Sequence, residues 1–314
     1  MTTGDSPTVT LVVNPAASSG RAKAQLPNVV TTLLSSLPGI NLRVFQSTSF
    51  ADARLRCGQA VANARPGLPG QLADSLLVMG GDGIMHLGLN ACAETSVPLG
   101  LIPAGRGNDF CRGAGVPTDI FRALKVIAAG HTEDVDLMRV TGDLADGAAK
   151  RYVGSILSSG FDARVNARVN RMSHNMGQFS YTWASLAELS IFEPIPYRLN
   201  IDGEQLDLTA MFVCVGNAGY FGGGMKGLPH FDISDGMLDV TIIHPVSRLT
   251  FARLLPRMFS GKFSLDPAIE MLRAKEVIVD GDGLLAMADG EDLGRIPITC
   301  SAAPGALRLY RPEQ

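Results

Sequence analysis

The sequence predicts two domains, an α/β domain with a parallel sheet followed by a mostly antiparallel β-sandwich or barrel. Three observations predict this fold class. The chain has 314 residues, about twice the length of an average domain. As far as Asp136, short β-branched runs alternate with helix-periodic segments, which is typical of βαβ units. Beyond Asp136, short strand-like runs follow one another with turn residues between them, which is typical of antiparallel β structure.

Strands and helices alternate in order through the N-terminal part. Apolar runs predict strands at 9–13, 42–45, 75–79 and 98–102. Helical spacing of apolar residues predicts helices after Gly20, at 51–64, after Gly83 and at 120–129. This spacing of strands and helices predicts a parallel sheet that is covered on both faces.

The elements predicted after Asp136 are mainly short strands. They span 152–157, 197–201, 211–215, 238–243 and 276–279. Helices are predicted at 178–191 and 249–259. For the aromatic and aliphatic residues of 178–191 we expect core packing, with a lipid path or a membrane contact as the alternative.

The composition indicates a compact globular protein. Apolar residues make up 46% of the chain and charged residues 18%, which excludes disorder for the chain as a whole. The 27 basic and 30 acidic residues give a net charge of −3, which argues against nucleic acid as a partner. Five scattered cysteines predict reduced thiols, and no apolar run reaches the about 18 residues of a membrane span. With a polar N-terminus, these features predict a cytoplasmic protein.

A first candidate phosphate site follows the strand predicted at 75–79. The residues there are Gly80, Gly81, Asp82 and Gly83, and a helix begins after them. Glycines at the end of a strand let backbone N–H groups approach a polyphosphate, and a helix N-terminus adds partial positive charge. Asp82 is then a candidate to hold a magnesium ion, directly or through water. The alternative is a tight turn with a solvated aspartate.

Two similar turns follow neighbouring strands. Gly105 and Gly107 free the backbone after the strand at 98–102, and the residue between them, Arg106, offers a guanidinium to phosphate. The residues that follow the first strand are small, and two of them, Ser18 and Ser19, carry hydroxyl groups. Because parallel strands end at one edge of a sheet, we expect the three turns to converge on one ligand. The candidate nucleotide-binding residues outside the first turn are Asn14, Pro15, Ser18, Ser19, Gly20, Thr48, Gly105, Arg106, Asn108 and Asp109.

Other nucleotide and hydrolase motifs are missing from the sequence. It contains no P-loop, no H-E-x-x-H and no G-x-S-x-G. One G-x-G-x-x-G occurs at 222–227, but Pro229 follows it instead of a helix, so we expect a glycine-rich loop there. His86 lies on the helix after the first glycine turn, where we expect a structural role, with a catalytic role as the alternative.

In their order along the chain, these motifs resemble the diacylglycerol kinase catalytic family, which includes bacterial lipid kinases and sphingosine kinases. The matching segments lie at 14–20, 80–83, 98–105, 108–110, 135–136, 160–163, 216–217, 222–226, 235–240 and 289–291. The resemblance implies an NAD-kinase-like α/β domain, a β-sandwich domain and a last strand that returns to the first domain. On that basis we expect the first domain to comprise 1–138 with 300–314, and the second to comprise 139–299.

The resemblance also implies an ATP-dependent lipid kinase that uses Mg²⁺. The catalytic base of the family is the glutamate of a late Asp-Gly-Glu triplet, which is Glu291 in this chain. A second Asp-Gly-Glu at 202–204 suits a hairpin turn, and Asp-Gly-Asp at 280–282 also suits a turn. Glu291 and Asp82 are therefore the expected catalytic residues.

Carboxylates are the candidate metal ligands. Asp82 and Asp136 are expected to act on magnesium, the alternative for Asp136 being a surface residue at the start of a strand. The family also carries a structural metal site in the second domain. This site would fall on Asp232, Asp235 and the backbone carbonyl of Met237, with a turn that needs no metal as the alternative.

Two residues depart from the family pattern. Ile84 follows the first glycine turn where a threonine is usual, although sphingosine kinases tolerate an aliphatic residue there. Arg106 stands where the second turn normally carries a threonine that helps to bind ATP. An arginine at this position would either supply positive charge to the phosphates or close the adenosine side.

The leading hypothesis is a kinase that phosphorylates a lipid hydroxyl, with diacylglycerol as acceptor and phosphatidic acid as product. The enzyme alternatives are a kinase for a sphingoid base or another lipid, and an NAD kinase, which would not explain the late motifs. A catalytically silent lipid-binding regulator is the alternative of another class. The expected partners are the lipid, the inner face of a membrane through a peripheral contact, and a second copy in a homodimer.

Overall fold

The computed structural model describes residues 6–66, 73–160, 193–289 and 291–313. The chain divides into two compact units, which we call unit 1 (Met1–Leu137 with Pro304–Gln314) and unit 2 (Met138–Ala303). The helix predicted at 178–191 lies outside the described residues, as do residues 161–163 of the family motifs.

Unit 1 contains a parallel sheet, as predicted. Its strands include β1 (Thr8–Val13), β2 (Asn41–Gln46), β3 (Ser75–Gly80) and β4 (Leu99–Pro103). The order across the sheet is β2-β1-β3-β4, and each of these neighbours is parallel. The four strands therefore end at the same edge of the sheet, which confirms the four predicted strands and their common direction.

Helices cover this sheet. The described helices of unit 1 are α1 (Ala17–Ser36), α2 (Phe50–Ala62), α3 (Asp82–Cys92), α4 (Asp109–Gly113) and α5 (Ile120–Ala129). One core cluster joins Leu33 of α1 and Leu124 of α5 to Leu11 and Leu77 of the sheet. Helices α2 and α3 contact each other and β3. Burial of these apolar faces is the main stabilisation of the unit.

The side chain of Asp74 forms hydrogen bonds at the beginning of the sheet. Its buried carboxylate accepts the N–H of Thr8 at 2.7 Å, and it also accepts the N–H and the Nε of Arg65 at 2.9 and 3.1 Å. Burial by itself would raise the pKa of this carboxyl, but the bonds from Arg65 and Thr8 outweigh burial. The pKa of Asp74 in the folded protein therefore lies below its ordinary value of 3.8.

We expect this pKa shift to appear in the pH dependence of stability. Because the folded pKa of Asp74 is lowered, its stabilising effect is present above the unfolded pKa and is lost as the pH falls through the folded pKa. The free energy of unfolding, measured in urea, should therefore fall less between about pH 6 and about pH 3 in Asp74→Asn than in the unchanged protein. An equal fall in both proteins would contradict this role.

Unit 2 is mostly antiparallel, as predicted. Its described strands are β6 (Arg151–Val153), β7 (Ile156–Gly160), β8 (Ile195–Ile201), β9 (Glu204–Ala210), β10 (Phe212–Gly216), β11 (Tyr220–Phe221), β12 (Met225–Lys226), β13 (Leu238–Ile243), β14 (Ile269–Ala274), β15 (Glu276–Asp280) and β16 (Leu285–Ala288). Strands β5 (Thr132–Leu144) and β17 (Glu291–Tyr310) contribute residues to both units. The strand order within unit 2 is β14-β13-β10-β7-β16-β17, and β8 pairs with β9 and β15. These neighbours are all antiparallel.

The single strand predicted at 152–157 is wrong, because the chain forms the two strands β6 and β7 there. At the break between them, the N–H of Gly154 donates to the carboxylate of Asp289 at 3.4 Å, and the carbonyl of Ser155 accepts the N–H of Asn217 at 3.1 Å. Strand β6 pairs with β5, whereas β7 pairs with β10 and β16. The backbone thus changes its hydrogen-bond partners between the two strands.

The glycine-rich segment at 222–227 belongs to a short hairpin. Strands β11 and β12 pair in antiparallel, and Gly222, Gly223 and Gly224 between them all have positive φ, at 58°, 86° and 109°. Glycine adopts this conformation at little cost. No helix follows the segment, so the predicted loop is confirmed.

The C-terminal residues of the chain belong to unit 1. Leu309 of β17 pairs in parallel with Leu99 of β4. The Arg311 side chain is buried, and its Nε donates to the carbonyl of Ala114 at 2.8 Å. Unit 1 is therefore built from two stretches of sequence that are separated by the whole of unit 2.

The cysteines are buried as free thiols. Burial raises the pKa of Cys57 and of Cys300 to about 12, so both thiols stay protonated near neutral pH. Among the described residues, none of the helices has the length and apolar character that a membrane crossing requires.

Candidate active site

The first and third strands of unit 1 end beside each other. The N–H of Asn14, which follows β1, donates to the carbonyl of Met79 in β3 at 2.9 Å. A Cβ atom on Gly80 would lie 2.8 Å from Cγ2 of Ile84 and 3.2 Å from Cβ of Asn14. The space above Gly80 is thus taken by Ile84, a buried residue of α3, which explains how an aliphatic side chain is accommodated after the first glycine turn.

The turn after β1 continues into an unusual start of α1. Oδ1 of Asn14 accepts the N–H of Ala16 at 3.1 Å, and Pro15 lies between these residues. Ser18, Ser19 and Gly20 then have successive positive φ values of 46°, 57° and 93°, inside a helix that becomes regular only after them. Positive φ is uncommon for residues other than glycine, so the two serines are held in a conformation that they seldom adopt.

The two glycine turns are in direct backbone contact. A Cβ on Gly105 would lie only 2.4 Å from Cα of Gly81, which no real side chain tolerates. The N–H of Ala104 also donates to the carbonyl of Gly80 at 2.8 Å. Gly83, the second residue of α3, completes the first turn. Any other residue at position 105 would therefore force the two turns apart, because their backbones meet there.

Asp82 binds the second turn to the first. Its Oδ2 accepts the N–H of Asn108 at 2.9 Å and its Oδ1 accepts the N–H of Asp109 at 2.6 Å. Asn108 has a left-handed conformation (φ 52°), and its side chain bonds both the N–H and the carbonyl of Gly105 at 3.1 Å. The alternative of a solvated aspartate in an isolated turn is therefore wrong. Asp82 holds the backbone of the second turn in place.

These turns fit a polyphosphate and a metal ion. The N–H of Gly105 is already bonded to Oδ1 of Asn108, but a Cβ on Gly81 would meet only the backbone of Gly105 within 4 Å. No side chain therefore covers Gly81 at the beginning of α3, where backbone N–H groups can approach phosphate oxygens. Both carboxylate oxygens of Asp82 lie at this edge, and a carboxylate oxygen is a ligand that Mg²⁺ accepts directly or through a bound water. Arg106, which lies in the second turn between Gly105 and Gly107, is exposed and available to an anion.

Thr48 has a structural partner. Its N–H and hydroxyl both donate to Oδ2 of Asp52, at 3.0 and 3.3 Å, and Ser49 caps α2 by accepting the N–H of Asp52. These bonds organise the beginning of α2. The described contacts of Thr48 therefore do not join it to the glycine turns.

Asp136 is a buried residue of β5, so the alternative of a surface residue is wrong. Its Oδ1 accepts the N–H of Gly305 in β17 at 2.8 Å, and its side chain is 4% exposed. The bond ties β5 to the C-terminal part of β17 within unit 1. The role of Asp136 toward magnesium stays a prediction.

Glu291 begins β17 in unit 2 and belongs to the hairpin that joins β16 to β17. Ala288 of β16 pairs with Glu291, and Asp289, the first residue of the connection, has φ 50°. Glu291 is half-buried, on a hairpin next to the buried strand β7. A glutamate in such surroundings is better suited to proton transfer than one surrounded by water.

The other two acidic triplets have structural roles. Asp202 and Gly203 form the predicted hairpin turn between β8 and β9, and Asp202 accepts the N–H groups of Lys275 and Glu276. Glu204 is exposed. Asp280 is the last residue of β15 and Asp282 lies in the turn that follows, and both pair with Arg198.

The predicted structural metal site falls on a loop with local hydrogen bonds. Oδ1 of Asp232 accepts the N–H and the hydroxyl of Ser234, at 3.0 and 2.7 Å. Oδ1 of Asp235 accepts the N–H of Met237 at 3.0 Å. The loop is thus held by its own side chains, as in an ordinary aspartate turn.

Arg273 supplies positive charge at this loop. Its Nη2 pairs with Oδ2 of Asp235, and its Nε lies 3.3 Å from Oδ1 of Asp239. Burial raises the pKa of Asp239 to about 6, and Arg273 opposes this shift. The described residues contain no group of three or more His, Cys, Asp or Glu placed to bind a metal. The structural cation at Asp232, Asp235 and the carbonyl of Met237 stays a prediction.

Sequence reasoning missed the partners of two candidate carboxylates. Gly305 is 169 residues from Asp136, and Arg273 is 38 residues from Asp235. No local pattern connects such distant residues. Only the pairing of β5 with β17, and of β13 with β14, brings them together.

Comparison with known proteins identifies both parts of the chain. Residues 8–140 match the model of the diacylglycerol kinase catalytic domain, and residues 155–311 match that of the YegS C-terminal NAD kinase beta sandwich-like domain. A diacylglycerol kinase of Mycobacterium tuberculosis (strain ATCC 25618 / H37Rv) is 35% identical over 307 residues, which cover 97% of this chain and 95% of that protein. A Staphylococcus saprophyticus protein, also named diacylglycerol kinase, is 25% identical over 91% of this chain and 90% of its own length.

A solved structure has the same fold. The crystal structure of a diacylglycerol kinase from Bacillus anthracis str. Sterne matches with a TM-score of 0.71 at 23% identity, over 97% of both chains. The resemblance inferred from the motifs and the predicted fold class, an NAD-kinase-like α/β domain with a β-sandwich domain, are thereby confirmed. The chain belongs to the diacylglycerol kinase catalytic-domain family, the kinases that transfer a phosphoryl group to a lipid hydroxyl.

Proposed function

We propose that the protein phosphorylates the free hydroxyl of diacylglycerol, with ATP as phosphoryl donor and Mg²⁺ as the metal ion, and releases phosphatidic acid and ADP. The observation that carries the proposal is the contact of the two glycine turns, which Asp82 fixes by accepting the N–H groups of Asn108 and Asp109. The acceptor is supported by the 35% identity to the mycobacterial diacylglycerol kinase over nearly all of both chains.

The phosphates of ATP are assigned to the glycine turns of unit 1. Backbone N–H groups there, together with the N-terminus of α3, favour negative charge. Arg106 adds a guanidinium on the exposed side. When bound, Mg²⁺ neutralises charge on the phosphates, and Asp82 and Asp136 are the residues proposed to hold it.

Glu291 is assigned the role of general base. Its carboxylate takes the proton of the lipid hydroxyl as that oxygen forms a bond to the γ-phosphorus of ATP. The bond between the γ-phosphorus and the bridging oxygen breaks, and ADP leaves with the electron pair. The half-buried position of Glu291, in contrast to the exposed Glu204, supports this assignment.

The acceptor is tested with radiolabelled ATP and a panel of lipids in mixed micelles. The panel contains diacylglycerol, monoacylglycerol, ceramide, sphingosine and phosphatidylglycerol. We expect the label to appear in phosphatidic acid, and to be lost when EDTA removes Mg²⁺. Label in a sphingoid base or in another lipid would replace diacylglycerol as the acceptor, and no label in any lipid would contradict the proposed activity.

A further inference from the structure

A segment of unit 2 exposes large apolar side chains. Helix α6 (Arg248–Met258) is followed by the 3₁₀-helix Lys262–Leu265. Leu249, Phe259 and Leu265 are 62%, 57% and 82% exposed, which makes them the three most exposed large apolar side chains of the described residues. We call this surface the 249–265 patch. Three such side chains within seventeen residues differ from the scattered apolar residues of an ordinary surface.

The segment is firmly attached by its inner side. Phe251, Leu254, Met258 and Phe263 are at most 2% exposed and belong to the core of unit 2. Leu249 lies away from these residues, because helical positions two apart do not share a face. The exposed apolar side chains therefore belong to a segment that is packed on the core of unit 2, and their exposure does not result from loose packing.

Further bonds hold both ends of α6. Ser247 caps the helix by accepting the N–H of Thr250 at 3.1 Å. At the other end, Arg257 donates to the carbonyl of Lys262 at 3.2 Å and pairs with Asp266 at 3.5 Å. These contacts fix the course of the chain through the patch.

The segment that carries the exposed apolar side chains is also rich in basic residues. The segment 247–266 contains four basic residues and one acidic residue, Asp266, in a chain whose net charge is −3. Among the described residues, Arg253 and Lys262 form no ion pair, and both are exposed. A Cβ on Gly261 would lie 3.3 Å from Cδ of Lys226, so a fifth cation borders the patch.

We propose that the 249–265 patch docks the protein on the surface of an anionic lipid bilayer. Apolar side chains can enter the boundary between head groups and acyl chains while neighbouring cations contact anionic head groups. A second copy of the chain is a poorer partner, since a symmetric contact would place these cations against each other. The proposal rests on the proposed function, because diacylglycerol resides in a bilayer and a kinase that acts on it must reach that surface.

The test is flotation of the intact protein with vesicles. We expect binding to vesicles of phosphatidylcholine with about 30 mol% phosphatidylglycerol, and weaker binding to phosphatidylcholine alone or in about 0.5 M salt. Arg253→Ala with Lys262→Ala should lower the partition coefficient about 25-fold, since each cation near an anionic surface is worth about a fivefold change. Leu249→Ala with Phe259→Ala and Leu265→Ala should lower it at least about tenfold.

A matched control carries alanine at three exposed apolar residues of unit 1, Leu34, Leu55 and Phe121, which are 50%, 56% and 42% exposed. This control should bind vesicles like the unchanged protein. Equal binding by the control and the patch variants, or no binding of the unchanged protein, would overturn the docking proposal. The micelle assay distinguishes the two proposals, because phosphatidic acid formed there supports the proposed function whatever the vesicles show. Patch-dependent vesicle binding without any labelled lipid would contradict only the proposed function.

Discussion

Replacing Glu291 by Gln should lower the rate of phosphoryl transfer about 100- to 10,000-fold, the usual contribution of a positioned general base. Glutamine has nearly the same size and shape but accepts no proton from the lipid hydroxyl near neutral pH. Because Glu291 belongs to unit 2 and the proposed phosphate-binding residues belong to unit 1, ATP should still bind. The rate is measured as ADP release with saturating diacylglycerol in mixed micelles, and ATP binding is measured as the rise in Tm that a ligand of the folded state causes.

The chain supplies a matched control for this substitution. Glu204 also follows an Asp-Gly turn, its Asp202 also has φ 50°, and it pairs with Ile201 as Glu291 pairs with Ala288. Glu204→Gln should leave the rate unchanged, because Glu204 is exposed on the β8–β9 hairpin. A full rate in Glu291→Gln would remove the base assignment. Loss of ATP binding together with the rate would instead indicate a disturbed fold.

Replacing Gly105 by Ala should destabilise the protein by about 3 kcal/mol, at the upper end of what an added methyl group usually costs in a packed site. The new Cβ would lie 2.4 Å from Cα of Gly81 and 2.7 Å from Oδ1 of Asn108. The first of these atoms is backbone, so a side-chain rotation gives no relief. The two turns must move apart, which also weakens the bonds from Asn108 and Asp109 to Asp82.

Gly58→Ala is the control, and we expect it to change the free energy of unfolding in the opposite direction. Gly58 lies in the exposed part of α2, and a Cβ there would meet nothing within 4 Å. Alanine should therefore raise the free energy of unfolding by about 0.5–1 kcal/mol, because it favours the helix. Urea unfolding measures both variants, and ATP with Mg²⁺ should raise the Tm of Gly58→Ala but not that of Gly105→Ala. Equal effects of the two substitutions would contradict the proposed backbone contact.

Deep burial made several strands easy to predict from the sequence. Strands β1, β3 and β4 are almost wholly buried and apolar, so their runs stood out. Strand β9 was missed because Glu204 and Asp207 break its apolar pattern at an edge of the sheet. Only the returning C-terminal part of β17 was expected, from the family resemblance, and the full length of the strand was missed because it contains glycines and prolines, which usually end strands.

The candidate site was predictable in its residues but only partly in its contacts. The glycines after β3 and β4 indicated close backbone approach, and Gly81 and Gly105 meet. The bonds from Asn108 and Asp109 to Asp82 depend on β3 lying next to β4, which a motif does not encode. The partners of Asp136 and Asp235 depend on strand pairing across long stretches of sequence. The local sequence thus indicated which residues form the candidate site. It did not indicate the hydrogen bonds between residues that are far apart in the chain.

The return of the C-terminal residues to unit 1 has a consequence for biosynthesis. Leu309 and Arg311 complete the parallel sheet and its surroundings, yet they are translated after all of unit 2. Domains generally fold as units while the chain emerges from the ribosome. Here the N-terminal unit must wait, with the edge of β4 unpaired, until the residues that follow unit 2 have been translated. A fragment that stops before residue 138 would lack that strand and present an edge open to aggregation.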